Sequence, residues 1–213
     1  MKDKIINLLT DKGTQASVEV SHILMKDPSK ITVVNELINS GKAKIKYGSA
    51  KTLLILSDRK PELLYPYFNV FVDLLSGKNN ILKWTAVDIV SNISFADTDG
   101  KIDKKLLNNF FQMISGDSLI TAGHVVGNLW KIAVTDKCSA DKIAIEMLNY
   151  DRANISEECK SILAGHVLES FSKFFDLLSN DKKKDVLELA RKQLSSLRVG
   201  TRRKANIFIK RFA

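Results

Sequence analysis

Apolar residues recur along this chain at intervals of three and four, the spacing that places side chains on one face of an α-helix. The clearest example spans residues 61–93. One apolar face there is formed by Phe68, Phe71, Val72 and Leu75, and a second by Leu82, Ala86, Ile89, Val90 and Ile93. The polar stretch 76–79, which contains Gly77, separates the two faces and is typical of a turn. The pattern therefore predicts two antiparallel helices joined as a hairpin.

The same pattern continues over the whole chain and predicts six helical hairpins in an all-α fold. Their approximate bounds are 2–26, 29–57, 61–95, 101–134, 139–178 and 181–213. Only 10 Gly and 3 Pro occur in 213 residues, which leaves little room for sheets built from tight hairpins. We therefore expect one repeat domain over 1–213.

Individual residues suggest where several helices begin and end. Gly13 predicts a break between the first two helices, and Pro61 suits the first turn of a helix. Pro66 is expected either to kink that helix or to delay its start. Asn154, with a glutamate three residues later, offers a capping box for a long helix that we expect to reach about Leu178.

Two internal repeats support this organisation. The string IKYGSA at Ile45 aligns with LKWTAV at Leu82, and AGHVV at Ala122 recurs as AGHVL at Ala164. A two-helix unit that recurs about every forty residues is typical of HEAT and armadillo-type arrays. The whole chain resembles a short HEAT-like α-solenoid. Its segments IKYG, PELLYPYF and ILKW are similar to those of prokaryotic HEAT-repeat-like proteins that carry no assigned function. The resemblance implies a right-handed α-solenoid.

Hydropathy and cysteine content predict a soluble, cytoplasmic protein. The mean hydropathy is −0.06 with 45% hydrophobic residues, and the apolar runs are far shorter than a membrane span. The first residues, MKDKIINLL, lack the continuous apolar stretch of a secretion signal. Cys138 and Cys159 have no metal-type spacing and are read as free thiols in a reducing compartment.

The positive charge is concentrated at one end of the chain. The formal net charge is +9, and eleven Lys and Arg but only three acidic residues lie within 181–213. A candidate patch for phosphates or an acidic protein comprises Lys182, Lys183, Lys184, Arg202, Arg203, Lys204, Lys210 and Arg211. Three interpretations stay open: a solubilising end cap, a nucleic-acid surface, and a surface for an acidic protein partner.

The resemblance to HEAT arrays implies that the second helix of each hairpin lines a concave face. In each second helix, the position two residues before a core residue is expected on this face, as is the position one helical turn later. Together these positions form a ladder that includes Gly123, Gly127, Gly165 and Arg203. The candidate partner-binding residues on this ladder are Tyr47, Lys51, Trp84, Asp88 and Glu169. We expect a protein partner to contact the aromatic members, although Trp84 would equally well fill space between neighbouring hairpins.

Trp84 and Asp88 also suggest an enzymatic alternative. HEAT-like alkylpurine DNA glycosylases carry a tryptophan followed one helical turn later by an aspartate, and this pair is similar in spacing. The resemblance implies that Asp88 would stabilise the cationic sugar formed as the base leaves. Those enzymes also use an arginine from the next repeat, and the matching segment AGHVV contains none. We therefore expect a non-enzymatic binding module without a cofactor.

Two further groups are compared with metal sites. Asp97, Asp99, Gly100 and Asp103 resemble the middle of an EF-hand loop, but the first and last ligand positions are Phe95 and Leu106. A turn that caps the following helix explains the same residues. His124 and His166 occupy equivalent places in the AGHV strings, which favours a structural role over metal binding.

Overall fold

The computed structural model describes residues 2–11 and 13–213, with side chains for 2–10 and 15–213. Over these residues the regular structure consists of α-helices and short 3-10 turns, without a β-strand. Two compact units are present, unit 1 at Met1–Asp99 and unit 2 at Gly100–Ala213. The all-α prediction is confirmed, whereas the extent of a single domain stays a prediction.

Unit 1 is built from three helical hairpins. Its helices are α1 (Lys2–Asp11), α2 (Gly13–Lys26), α3 (Ile31–Leu37), α4 (Ala43–Arg59), α5 (Pro61–Leu64), α6 (Phe68–Leu75) and α7 (Asn80–Ile93). The second helices α2, α4 and α7 pack side by side in chain order, and α1, α3 and α6 each pack against the second helix of their own hairpin. Each hairpin thus buries its apolar face on its neighbour, as a repeat array requires.

Unit 2 repeats this arrangement with three more hairpins. Its helices are α8 (Lys104–Ile114), α9 (Leu119–Thr135), α10 (Ala140–Leu148), α11 (Glu157–Phe171), α12 (Asn180–Gln193) and α13 (Val199–Phe212). Here α9, α11 and α13 form the layer of second helices. The six predicted hairpins are confirmed, and the layer of second helices is what positions the candidate site.

Side-chain caps begin the second helices α7, α9 and α11. Asn79 accepts a hydrogen bond from the Leu82 amide at 3.2 Å at the start of α7, and Ser118 accepts one from the Thr121 amide at 3.2 Å at the start of α9. These residues follow the Ser-Gly turns that end α6 and α8. A cap satisfies one of the free amides in the first helical turn. Because each cap joins residues only three positions apart, the starts of these helices are determined locally.

Two prolines determine how the first helix of the third hairpin begins and where it is interrupted. Pro61 stands in the first turn of α5, as predicted. Pro66 lies in a 3-10 turn at Tyr65–Tyr67, and a regular helix resumes only at Phe68. Because proline lacks an amide hydrogen and clashes with the preceding turn, it divides this helix into two pieces.

The predicted course of α11 is wrong at both ends. The cap is Ser156, which accepts from the Cys159 amide at 3.3 Å, whereas the backbone amide of Asn154 donates to the Gly116 carbonyl at 3.0 Å. The helix ends at Phe171 instead of about Leu178. The chain turns there so that both Phe174 and Phe175 become buried, and neither glycine nor proline signals this turn in the sequence.

The first hairpin differs slightly from its predicted limits. The break expected at Gly13 corresponds to the beginning of α2 at that residue, and Lys12 lies outside the described residues. The AGHV repeat is reproduced in the packing, since Ala122, Val125, Ala164 and Val167 are all fully buried.

None of the helices described in the structure combines the length and the apolar character that crossing a membrane requires.

Candidate functional site

Helices α11 and α13 border a groove on unit 2 with a volume of about 410 Å³. Leu168 and Phe208, which are almost fully buried, form its floor. Three cationic side chains and one carboxylate form its rim, namely Arg203, Lys204, Arg211 and Glu169. The groove therefore combines an apolar floor with an excess of positive charge.

An aromatic cluster fixes the floor of the groove. The Phe175 ring lies 5.3 Å from the Phe208 ring in an edge-to-face arrangement and 4.5 Å from the Phe212 ring. Phe208 and Phe212 are 4.7 Å apart. Such ring pairs pack rigidly and add to the stabilisation that burial supplies, so α13 is held firmly in place.

The charged groups on the rim are held in different ways. Lys204 Nζ lies 2.7 Å from Glu169 Oε2, and this hydrogen bond is the main cause of the lowered pKa of Glu169. The Arg211 guanidinium lies over the Phe212 ring at 4.8 Å, a cation–π contact that orients it. Arg203 is exposed and pairs with no carboxylate in the described part of the chain. Arg203 and Arg211 are thus available to an anionic ligand.

A close contact between α11 and α13 lies beside the groove. Gly165 is buried, and a methyl group at its Cα would lie 3.1 Å from Thr201 Oγ1. Thr201 Oγ1 donates a hydrogen bond to the Ser161 carbonyl at 2.6 Å, which restrains that hydroxyl. Gly165, a member of the predicted ladder, is therefore a packing residue, whereas Gly123 has open space where its Cβ would be.

His166 is half-buried at the same helix contact. Burial lowers its pKa, the positive charge of Lys204 lowers it further, and Glu169 acts in the opposite direction. The neutral form is therefore favoured in the folded protein. His124, its counterpart in the other AGHV string, is likewise half-buried in α9.

The eight predicted patch residues fall into several environments. Lys182 pairs with Asp185, and Lys184 Nζ lies 3.4 Å from Asp181 Oδ1. Lys183 Nζ lies 5.9 Å from the centre of the Phe175 ring. Each of the three cations of the KKK run therefore has a local contact, of which the Lys184 pair is highly exposed and weak, and none of the three lines the groove.

The cations of α13 are also divided by their contacts. Arg202 is half-buried, and its Nη1 donates to the carbonyls of Ser196 at 2.6 Å and Leu197 at 3.1 Å. It thereby holds the turn before α13. Arg203, Lys204 and Arg211 reach the groove, and Lys210 is exposed. The structure thus brings Glu169 of the predicted ladder together with three members of the predicted patch.

The ladder residues of unit 1 lie on the adjacent helices α4 and α7. The Tyr47 hydroxyl accepts a hydrogen bond from Asn79 Nδ2 at 3.1 Å, so it supports the residue that caps α7. Lys51 is exposed. Trp84 and Asp88 are half-buried one turn apart on α7. Their role in binding, and the glycosylase alternative for the pair, stay predictions.

The segment that resembles an EF-hand loop is held by protein groups. Tyr65 donates its hydroxyl to Asp97 Oδ1 at 2.8 Å and accepts from the Asp99 amide at 3.0 Å. Asp103 caps α8 by accepting from the Leu106 amide at 2.8 Å. Among the described residues no group of three or more His, Cys, Asp or Glu side chains is arranged to hold a metal ion.

Comparison with solved structures supports the interpretation of the fold. A designed armadillo repeat protein superposes on this chain with a TM-score of 0.60 and 11% identity, covering 100% of this chain and 93% of the other. The fold is that of an armadillo-type α-solenoid. An engineered protein from the Northeast Structural Genomics Consortium is also similar, with a TM-score of 0.55, 13% identity and coverage of 99% and 96%. No protein-family model matches the sequence, and no curated protein matches it.

The groove contains residues that were not singled out from the sequence as binding residues. Ile207 is 57% exposed at its edge, and Leu168, Phe208 and Phe212 line it. A usable signal was present: Val199, Arg203, Ile207 and Arg211 recur every four residues, which places them along one stripe of α13. Because that stripe mixes apolar and cationic residues, it does not form an apolar face.

Proposed function

We propose that this protein is a non-enzymatic binding module that engages a protein partner through the surface of its second helices. The observation that carries the proposal is the groove between α11 and α13, where an apolar floor lies open beside cationic side chains. Armadillo-type repeats are typical binding scaffolds because stacked helices present long, continuous surfaces. In unit 1, the exposed Lys51 on α4 and the half-buried Trp84 on α7 support a separate contact surface on the second helices of that unit.

Site-specific photocrosslinking in native lysate tests this proposal. A photoreactive amino acid placed at Ile207, which is 57% exposed beside the groove, is expected to crosslink to a protein. The matched control is Ile145, which is 43% exposed on α10, the first helix of the fifth hairpin in the same unit. Nuclease treatment before irradiation should leave the crosslinked band unchanged, because a protein partner does not need nucleic acid to reach the site.

The outcome distinguishes a specific binding surface from nonspecific capture by exposed apolar side chains. A crosslinked band at Ile207 that is absent at Ile145 supports the proposal. Equal labelling at both positions would show that exposed apolar side chains alone cause the capture. An absence of protein crosslinks at Ile207 and also at Lys51, with the chain folded, would refute the assignment of the second-helix surface.

A second candidate function is nucleic-acid binding through α13. It is favoured by Arg203, Lys210 and Arg211, which are exposed and pair with no carboxylate within the described residues. Phosphate contacts of this kind release counterions, so duplex affinity would fall steeply with salt and would fall further in an Arg203→Ala/Arg211→Ala variant. Duplex binding that is absent at both low and moderate salt would dismiss this candidate. Arg202 is unsuitable for the test because it holds the preceding turn.

A further inference from the structure

The stripe on α13 alternates apolar and cationic side chains with a constant spacing. Arg203, Ile207 and Arg211 follow one another at intervals of four residues, all three are exposed, and Ile207 keeps 57% of its surface accessible. Four residues of an α-helix rise by about 6 Å, so the two arginines are separated along the axis by about 12 Å. Side chains spaced by four form a row inclined by about 26° to the helix axis, and a ligand that contacts all three must follow this row. The groove floor of Leu168 and Phe208 lies beside this stripe.

An extended peptide has a matching period. Residues i, i+2 and i+4 of an extended strand point to the same side, with about 6.6 Å between successive members. A carboxylate at i, a large apolar residue at i+2 and a second carboxylate at i+4 would therefore face Arg203, Ile207 and Arg211 in turn. The mismatch over the whole span is only about 1 Å, which long arginine side chains accommodate.

We propose that the groove between α11 and α13 binds an extended acidic segment of a partner protein, with the pattern acidic–x–apolar–x–acidic aligned along α13. This inference rests on the proposed protein-binding function and names the chemistry of the partner at that site. Charge complementarity selects the occupant, since the guanidinium groups of Arg203 and Arg211 match carboxylates in a bidentate manner, and Ile207 with the adjoining floor offers apolar surface to the side chain between them.

The pair formed by Glu169 and Lys204 gives this proposal a distinctive consequence. Glu169 lies on the rim opposite the arginines and neutralises Lys204 at 2.7 Å. It therefore repels an acidic ligand and withholds a third cation from it. Replacing Glu169 with Gln removes the repulsion and frees Lys204, so acidic segments should bind more tightly to this variant.

Fluorescence anisotropy with synthetic peptides tests the proposal on the full chain. The probe carries the core Asp-Ser-Leu-Ser-Asp, and its comparison peptide has the same composition with the two Asp residues adjacent. We expect the probe to bind at least about fivefold more tightly than the comparison peptide, because only the probe places both carboxylates opposite arginines. Glu169→Gln is expected to raise its affinity by about two- to fivefold.

Matched arginine variants locate the site. Arg203→Ala and Arg211→Ala should each weaken binding by about three- to tenfold. Arg191→Ala removes the same charge from an exposed position on α12 and should leave the affinity unchanged. In Arg203→Glu/Arg211→Glu, a probe with the core Lys-Ser-Leu-Ser-Lys should replace the acidic probe as the preferred ligand, which a damaged fold would not produce.

The possible results separate this inference from the broader function. Equal binding of the two acidic peptides, or equal losses in the Arg191 and Arg203 variants, overturns the acidic-segment proposal. If crosslinking at Ile207 still captures a protein in that case, the binding-module function stands with a partner of different chemistry. Tighter binding of duplex DNA than of the probe, lost in the Arg203 and Arg211 variants, would assign the groove to phosphates and also overturn the inference.

Discussion

Two glycines at equivalent places in the repeated AGHV strings have opposite surroundings. Gly165 has Thr201 Oγ1 within 3.1 Å of its would-be Cβ, and that hydroxyl is restrained by the Ser161 carbonyl. Nothing lies within 4 Å of the corresponding point at Gly123. Replacing Gly123 with alanine therefore changes only the helix propensity. Replacing Gly165 with alanine changes the helix propensity and also brings a methyl group against Thr201.

We expect Gly123→Ala to stabilise the protein by up to about 1 kcal/mol, which is the gain in helix propensity from glycine to alanine. Gly165→Ala should be less stable than Gly123→Ala by about 1 kcal/mol or more, because the Thr201 hydroxyl must move. Urea denaturation of both variants measures the difference. A Thr201→Ala background should reduce the cost of Gly165→Ala, and an unchanged cost would show that Thr201 is not the obstacle.

His166 and Glu169 each make stability depend on pH, over ranges that begin at different pH values. The folded pKa of His166 is below its usual value of 6.5, so the unfolded chain binds the proton more readily. The stability that His166 contributes to the folded state is fully present above pH 6.5. It is lost as the pH falls from 6.5 toward the lowered pKa of His166 in the folded protein. Glu169, with a pKa below its usual 4.5, contributes stability above that pH and loses it under more acidic conditions.

His166→Gln is expected to flatten the dependence of unfolding free energy on pH just below 6.5, and the difference in proton uptake from wild type is at most about one proton. Glu169→Gln should flatten the window below pH 4.5. It should also widen the histidine window, because Glu169 raises the pKa of His166. Denaturant titrations at several pH values measure both effects, and parallel curves for His166→Gln and wild type would contradict the assignment.

At the scale of the element, helix α13 depends on one aromatic anchor. Phe208 is 2% exposed and contacts the rings of Phe175 and Phe212, whereas its neighbour Ile207 is 57% exposed. The apolar side of this strongly basic helix therefore anchors it, while Arg203 and Arg211 lie at the groove. Removing the anchor should release the helix before the rest of unit 2 unfolds.

Phe208→Ala is expected to cost about 3–5 kcal/mol, as is usual when a buried phenylalanine is truncated. Ile207→Ala should stay within about 0.5 kcal/mol of wild type because that side chain is mostly exposed. Amide hydrogen exchange is the measurement: protection in α13 should fall sharply in Phe208→Ala while protection in α9 persists. Equal loss in both helices would show that α13 does not open independently.

At the scale of the whole molecule, the proposed binding function has an enzymatic competitor that is simple to test. Trp84 and Asp88 lie half-buried one turn apart on α7, the spacing that prompted the glycosylase comparison. A non-enzymatic module should release no methylated base from alkylated duplex DNA above the rate of buffer alone. Release that disappears in Asp88→Asn would replace our proposal with the enzymatic one. Release that survives this substitution would still contradict a non-enzymatic module, but would remove Asp88 from the active site.

The fold was predictable from the sequence because its cause is local and repeated. Apolar residues such as Phe71 and Leu75 recur at helical spacing, and Asn79 and Ser118 cap helices through contacts only three residues long. The end of α11 was not predictable, because Phe175 beyond it is drawn into a core with Phe208 of α13. That contact joins residues far apart in the sequence and leaves no local mark.

What the sequence by itself determined is the set of six hairpins, since period, turns and caps are properties of short segments. Local contacts already engage Lys182 and Lys184 within α12, and Arg202 in the turn before α13. Only the tertiary structure decided which of the remaining cations of α13 face the groove. The packing of α13 against α11 pairs Lys204 with Glu169 and leaves Arg203 and Arg211 on the groove rim, because the carboxylate that α11 supplies to the rim lies beside Lys204.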